Sequence, residues 1–215
     1  MNYLSFILVI ALFGLGCAHS RIPKFQDEFS FSQSEITKPS LIPFETQGTY
    51  QILLPARLYN QELGESIDTE IPINMVFFPD GMFCYNIQKM NGETNVSRLF
   101  EEMEKDTSLL NLYYNSGYWG LFSITDQKLE AKYIQRPGKW KPNRKWKAFS
   151  LKMDILNDTT LKITDYKPLH EIEEWNYDKL IEGLNRRIDL EANYTPCKYL
   201  PKPMPYLRSK NWFIN

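Results

Sequence analysis

Histidine is all but missing from this chain: His19 and His170 are the only two in 215 residues. Hydrolysis by a Ser or Cys nucleophile with a His base, or a His-ligated metal, would have to use one of them. His19 falls in a Ser- and Pro-containing stretch near the N terminus. His170, in Pro168-Leu169-His170-Glu171, reads as a surface residue near a helix start. Cysteine is scarce as well, at three residues, with no Cys or His at the short spacings of structural zinc sites. No Gly-rich phosphate loop, His-Glu-x-x-His helix or nucleophile elbow occurs. The pairs Glu101/Glu102 and Glu173/Glu174 are adjacent in sequence, which on helices makes a solvated face rather than the spaced acid–base couple of a glycosidase. Neither sign of charge dominates. With 25 basic and 26 acidic residues the net charge is −1, which leaves no electrostatic footprint for nucleic acid. These absences predict a non-enzymatic protein with no cofactor, no metal and no nucleic-acid partner.

Long apolar runs are limited to one, at the N terminus. Residues 1–15 are almost wholly apolar, but about fifteen residues fall short of the roughly twenty that span a bilayer core. The run suits the apolar segment of an export signal. It ends in Gly14-Leu15-Gly16-Cys17, placing a thiol directly after a small residue, and in this resembles a bacterial lipoprotein signal. The resemblance implies removal of residues 1–16, lipidation of Cys17 and a membrane partner reached through the lipid. Gly16 and Ala18 also satisfy the small-x-small rule for ordinary secretory cleavage, and an uncleaved anchor is a third alternative. All three put the folded part outside the cytoplasm. The favoured address is the bacterial cell envelope, with the outer membrane preferred and a secreted protein as the alternative.

If Cys17 carries lipid, Cys84 and Cys197 remain as an even pair in an oxidising compartment. Two readings stay open, a disulfide or two unpaired thiols with Cys84 buried as a small hydrophobe.

Residues 17–46 are rich in Ser, Pro and charge and read as a flexible tether. A β-domain over 47–170 follows. Residues 48–54 predict a strand, and 71–78 a second with Ile71, Ile73, Met75 and Phe77 on one face. Pro79-Asp80-Gly81 predicts a hairpin turn into 82–89, where Phe83, Tyr85 and Ile87 alternate. Asn95 can cap one helix over 96–110. Strands are then expected at 118–124 and 128–135, the latter with Leu129, Ala131 and Tyr133 on a shared face. Over 147–156, Phe149, Leu151, Met153 and Ile155 alternate with Ala148, Ser150, Lys152 and Asp154, predicting one dry and one wet face. Asn157-Asp158-Thr159 turns the chain into 160–166, where Leu161 and Ile163 continue the dry face.

Gly48-Thr49-Tyr50, then Phe77-Phe78-Pro79-Asp80-Gly81-Met82-Phe83, then Gly117-Tyr118-Trp119-Gly120 with Ile124-x-Asp126, and last Asn157-Asp158-Thr159-Thr160-Leu161, follow in an order that resembles the small lipocalin-like lipoproteins of bacterial envelopes. The resemblance covers about residues 48–168. It implies a mainly β fold, a small antiparallel lipocalin-like barrel or half-barrel, here with one inserted helix and a C-terminal helix plus extended tail. Alternation independently supports a curved antiparallel sheet. Such a barrel is either filled by its own side chains or holds one small apolar ligand, and fold alone does not choose between them.

One stretch suggests a contact surface. Arg136, Lys139, Lys141, Arg144, Lys145 and Lys147 are interleaved with Trp140 and Trp146, without an acidic residue. Cations attract phosphate and indoles favour the water–apolar boundary, so this loop could meet anionic lipid or an anionic envelope glycan. The alternative is an exposed loop whose two Trp residues fold back onto the barrel mouth. Residues 171–215 predict an amphipathic helix at 173–190 using Trp175, Ile181, Leu184 and Ile188, then a Pro-punctuated aromatic extension. That extension either docks on its own domain or recruits another envelope protein. The expected function is an envelope-anchored ligand-binding or interaction module, with a filled structural barrel as the alternative and an envelope hydrolase as a more distant one.

Overall fold

The computed structural model describes residues 42–60, 64–85, 95–135, 147–169 and 177–204. Eight antiparallel strands run in chain order around a closed barrel. They are β1 (Gly48–Asn60), β2 (Glu65–Phe77), β3 (Met82–Tyr85), β4 (Tyr118–Thr125), β5 (Lys128–Gln135), β6 (Lys147–Ile155), β7 (Thr160–Pro168) and β8 (Glu191–Pro196). The expected hairpins are present. Gly81 takes φ +84° in the β2–β3 turn, where Asp80 accepts from the Met82 amide at 3.1 Å. Asp126 and Gln127 turn β4 into β5 with φ of 50° and 62°, the left-handed pair that matches the twist of a tight hairpin.

Alternation sorts the strands into two faces. Ile52, Ile73, Met75, Phe77, Phe83, Phe122, Leu151 and Met153 point inward and pack into one buried cluster. Val76, Cys84, Trp119, Leu121, Ile134 and Ala148 point outward into a second. That outer face is dry because α1 (Val96–Met103) and α2 (Thr107–Ser116) lie over it, contributing Leu99, Phe100, Met103, Leu109 and Tyr113. The chain after β8 joins them through Cys197, Leu200 and Met204, and the Tyr114 hydroxyl donates to the Lys202 carbonyl at 3.1 Å. Among the described residues no helix is long and apolar enough to cross a membrane.

Several expectations are corrected. The single inserted helix is two. Asn95 caps α1 as predicted, by accepting from the Arg98 amide, but Asp106 adopts an extended conformation and its carboxylate caps α2 by accepting from Ser108 and Leu109. The C-terminal helix, α3 (Tyr177–Asn185), stops short of residue 190. Part of the expected extension is the strand β8, which pairs with both β1 and β7 and closes the barrel. The tether also ends earlier. Phe44 is buried against Tyr50, Phe77 and Phe122, with centroids 5.8, 5.3 and 6.1 Å away, and so plugs the base. Cys84 and Cys197 form no disulfide. Both are buried in the outer cluster, but Cys84 lies against Tyr113, while the Cys197 thiol points to the Thr195 carbonyl at 3.9 Å. Burial pushes both thiols above the usual range, which keeps them protonated.

Candidate functional site at the barrel mouth

The end of the barrel opposite Phe44 is defined by Tyr85 at the end of β3, Tyr118 at the start of β4, Gln135 at the end of β5 and Lys147 at the start of β6. Register makes Tyr85 the partner of Tyr118, and Gln135 the partner of Lys147. One layer below, Tyr133 pairs with Phe149, and Leu151 pairs with Tyr166. Tyr166 reaches the lumen because the β6–β7 register shifts between Lys152 and Met153. Leu161 and Ile163 already face inward, and without an extra residue the next inward side chain would be Asp165. The bulge re-aims the strand so that an aromatic ring enters instead.

Rings fill this layer. Tyr85 stacks on Tyr133 at 4.9 Å, Tyr133 on Phe149 at 5.3 Å, and Tyr118 lies parallel to Tyr133 at 6.0 Å. The Tyr133 and Tyr166 hydroxyls hydrogen-bond to each other. Gln135 donates to the Tyr118 hydroxyl at 3.1 Å. The Tyr85 hydroxyl is buried with no partner at bonding geometry, although Tyr166 is near enough to ease its ionisation. Burial is the main influence on all three phenols and pushes Tyr85, Tyr133 and Tyr166 above the usual range, while the charge of Arg187 opposes it.

Arg187 arrives from the far side of the wall. β8 pairs with β7 only over residues 160–162 and with β1 only over 48–51, so the upper parts of those two strands are not bridged by it. The turn after α3 continues the wall there: Ile163 donates to Leu190 at 3.0 Å and Asp189 donates to Ile163 at 2.8 Å. Leu184 drops into the lumen cluster. The Arg187 guanidinium lies over the Tyr166 ring at 5.6 Å and donates through Nη1 to the Gly183 carbonyl at 2.6 Å. Its Nε is buried, with no partner among the described residues. Among the described residues no carboxylate pairs with it.

Of the residues expected to carry a contact surface, Lys147 is half-buried on this mouth, in register with Gln135. Arg136, Lys139, Trp140, Lys141, Arg144, Lys145 and Trp146 lie outside the described residues, as do Cys17, His19 and His170. The three inward tyrosines and Arg187 were not expected as a group. A signal existed for two of them: Tyr85 and Tyr133 fall on the dry faces of their strands, where a phenol needs a hydrogen-bond partner. Among the described residues no group of three or more His, Cys, Asp or Glu could hold a metal ion. A wide surface depression beside α3, lined by Tyr177, Asp178, Ile181 and Glu182 among others, gathers no comparable set of groups.

No protein-family model, curated protein or solved structure matches this chain.

Proposed function

We propose that this chain is a lipid-anchored protein of the bacterial envelope whose lipocalin-like barrel acts as an interaction module rather than as a carrier of apolar ligands. The signal-like N terminus ending in Gly16-Cys17 supports the address, and the order of motifs from Gly48 to Leu161 supports the family. The observation that carries the choice between module and carrier is the filled lumen. Phe77, Phe83, Phe122, Tyr133 and Phe149 pack ring against ring along the barrel, each at most 3% exposed. A close-packed interior of this kind leaves no room for an acyl chain.

The surface supplies a feature for contact. β1 and β2 remain paired as far as Asn60 and Glu65, well past the last β8 partner of β1 at Gln51. Among its described side chains this ribbon carries four large exposed apolar ones, Leu53, Tyr59, Ile67 and Ile71. Leu53 and Tyr59 lie on one face of the ribbon and Ile67 and Ile71 on the other, so each face offers a pair of apolar side chains to a partner that grips the ribbon.

Photocrosslinking in cells tests the reading. A photoreactive residue at Tyr59 or Ile67 is expected to give a discrete adduct that a probe at Leu156, at the opposite end of the barrel, does not give. Saturable uptake of a fluorescent fatty acid by the purified full-length chain, with no ribbon-specific adduct, would reverse the assignment in favour of a carrier.

A further inference from the structure

The hydrogen-bonding groups at the mouth do not balance. The Tyr85 hydroxyl and the Arg187 Nε are buried and have no partner among the described residues. Tyr118 accepts from Gln135, which leaves its own proton to give, and the Tyr133–Tyr166 pair spends one of its two protons on itself. Arginine donates and never accepts. The mouth therefore holds a surplus of donors, with one fixed positive charge that no carboxylate among the described residues neutralises. Leaving a buried donor empty costs free energy, and such groups in a folded protein call for a partner. Neutral water answers a missing hydrogen bond, but the charge of Arg187 and the predominance of donors select an acceptor carrying negative charge.

We propose that the barrel mouth binds an oxyanion, a carboxylate or phosphate group, between the Arg187 guanidinium and the Tyr85 hydroxyl. Arg187 is half-buried with its guanidinium over the Tyr166 ring, so the arginine gives the anion its way in from solvent and the phenols form the floor on which it is held. The fork of donors on a guanidinium matches the paired oxygens of either group. The packed lumen below stops the ligand at the mouth, so recognition falls on its charged end. This site is independent of the interaction surface on the ribbon and of the lipid anchor, and either can fail without it.

The test is thermal unfolding and calorimetric titration of the purified full-length chain with sodium acetate and with inorganic phosphate, against sodium chloride at matched ionic strength. Saturable binding in the millimolar range is expected for at least one oxyanion, as suits a ligand offering a single group, together with a rise in melting temperature that chloride does not give. A preference between acetate and phosphate identifies the class. Arg187→Gln should weaken binding by tenfold or more. Tyr85→Phe should weaken it severalfold while leaving the anion-free melting temperature unchanged or higher, because the hydroxyl removed had no partner. If Arg187→Gln does not fold, Tyr85→Phe decides alone. No saturable binding of either oxyanion, or binding unchanged in Tyr85→Phe, overturns the proposal.

Discussion

The Tyr50 hydroxyl lies 3.1 Å from the Glu45 carbonyl and 3.0 Å from the Asp158 carbonyl, tying the segment that enters the barrel to the β6–β7 turn 108 residues away. The Glu45 amide donates to the same Asp158 carbonyl at 2.8 Å, so the base is sealed by backbone and side chain together. Phe44 sits directly behind this seam, 6% exposed.

The seam and the plug should differ in their worth. Tyr50→Phe removes a hydrogen bond but leaves the Asp158 carbonyl satisfied by Glu45, so a loss of about 0.5–1.5 kcal/mol is expected. Phe44→Ala removes a buried ring that touches three others and should cost about 3–5 kcal/mol. Chemical denaturation measures both. Equal small losses would mean that residues 42–47 are only loosely seated on the barrel.

A filled lumen makes its own prediction. Phe122→Ala should open an apolar void among Phe44 and Phe77 and allow benzene to bind, with heat and a raised melting temperature, where the unaltered chain shows neither. Benzene binding to the unaltered chain would show that the barrel already contains usable space. Gly120→Ala provides a contrasting variant, since a Cβ there would stand 1.8 Å from the Lys132 carbonyl oxygen. It should fail to fold rather than bind, because the clash is with backbone.

Much of this barrel is legible because period-two alternation follows directly from a sheet with one face buried. The inward series Phe149, Leu151, Met153 and Ile155 is where alternation predicts it. The opposite face of the same strand is less wet than alternation alone implies. Ala148 lies under the outer cluster, and Ser150, 1% exposed, donates to Glu130 at 2.8 Å. Local pattern has no information about what another part of the chain lays over a strand. β8 is illegible for a related reason. Only Ala192 of its six residues is buried, and what makes the segment a strand is the backbone of β1 and β7 on either side. Tyr166 is hidden by the bulge, which breaks the period at the position that brings it to the candidate site. Arg187 reads in sequence as a charge suited to the end of a helix. Its place over Tyr166 depends on the chain leaving α3 and turning at Asp189, with φ 66°.

Buried phenols set the response to alkali. The hydroxyls of Tyr85, Tyr113, Tyr133 and Tyr166 all ionise less readily in the fold than in the open chain, chiefly because burial disfavours the phenolate. Their folded pKa values lie above the unfolded value of about 10, so this stability is complete below about pH 9. Above that point the unfolded chain releases protons that the fold retains. Stability then falls by up to about 1.4 kcal/mol per pH unit for each phenol still protonated. Denaturant midpoints should be flat from neutrality to about pH 9 and drop steeply beyond it, with phenolate absorbance appearing together with loss of structure. Phenolate absorbance appearing at ordinary pH in the intact fold would place these hydroxyls in water.

The proposed address rests on one atom, the sulfur of Cys17. An apolar stretch of about fifteen residues is too short to serve as a comfortable membrane span, and its junction Gly14-Leu15-Gly16-Cys17 puts the thiol where lipidation would create a new N terminus. Mass spectrometry of the protein extracted from membranes should find the mature chain beginning at a modified Cys17, and Cys17→Ser should release the domain from the membrane fraction or leave the signal uncleaved. Cleavage after Ala18 predicts a different result, a soluble chain starting at His19 whose fractionation is indifferent to Cys17→Ser. The barrel itself should be the same in both cases. Cys17 lies 25 residues before the first described residue, Ile42, and among the described residues the base is closed by Phe44, Tyr50 and Asp158. Removal of residues 1–40 should therefore leave the melting temperature within a few degrees of the full chain while abolishing membrane association, a separation of anchoring from folding that fails if the truncated chain is unstable.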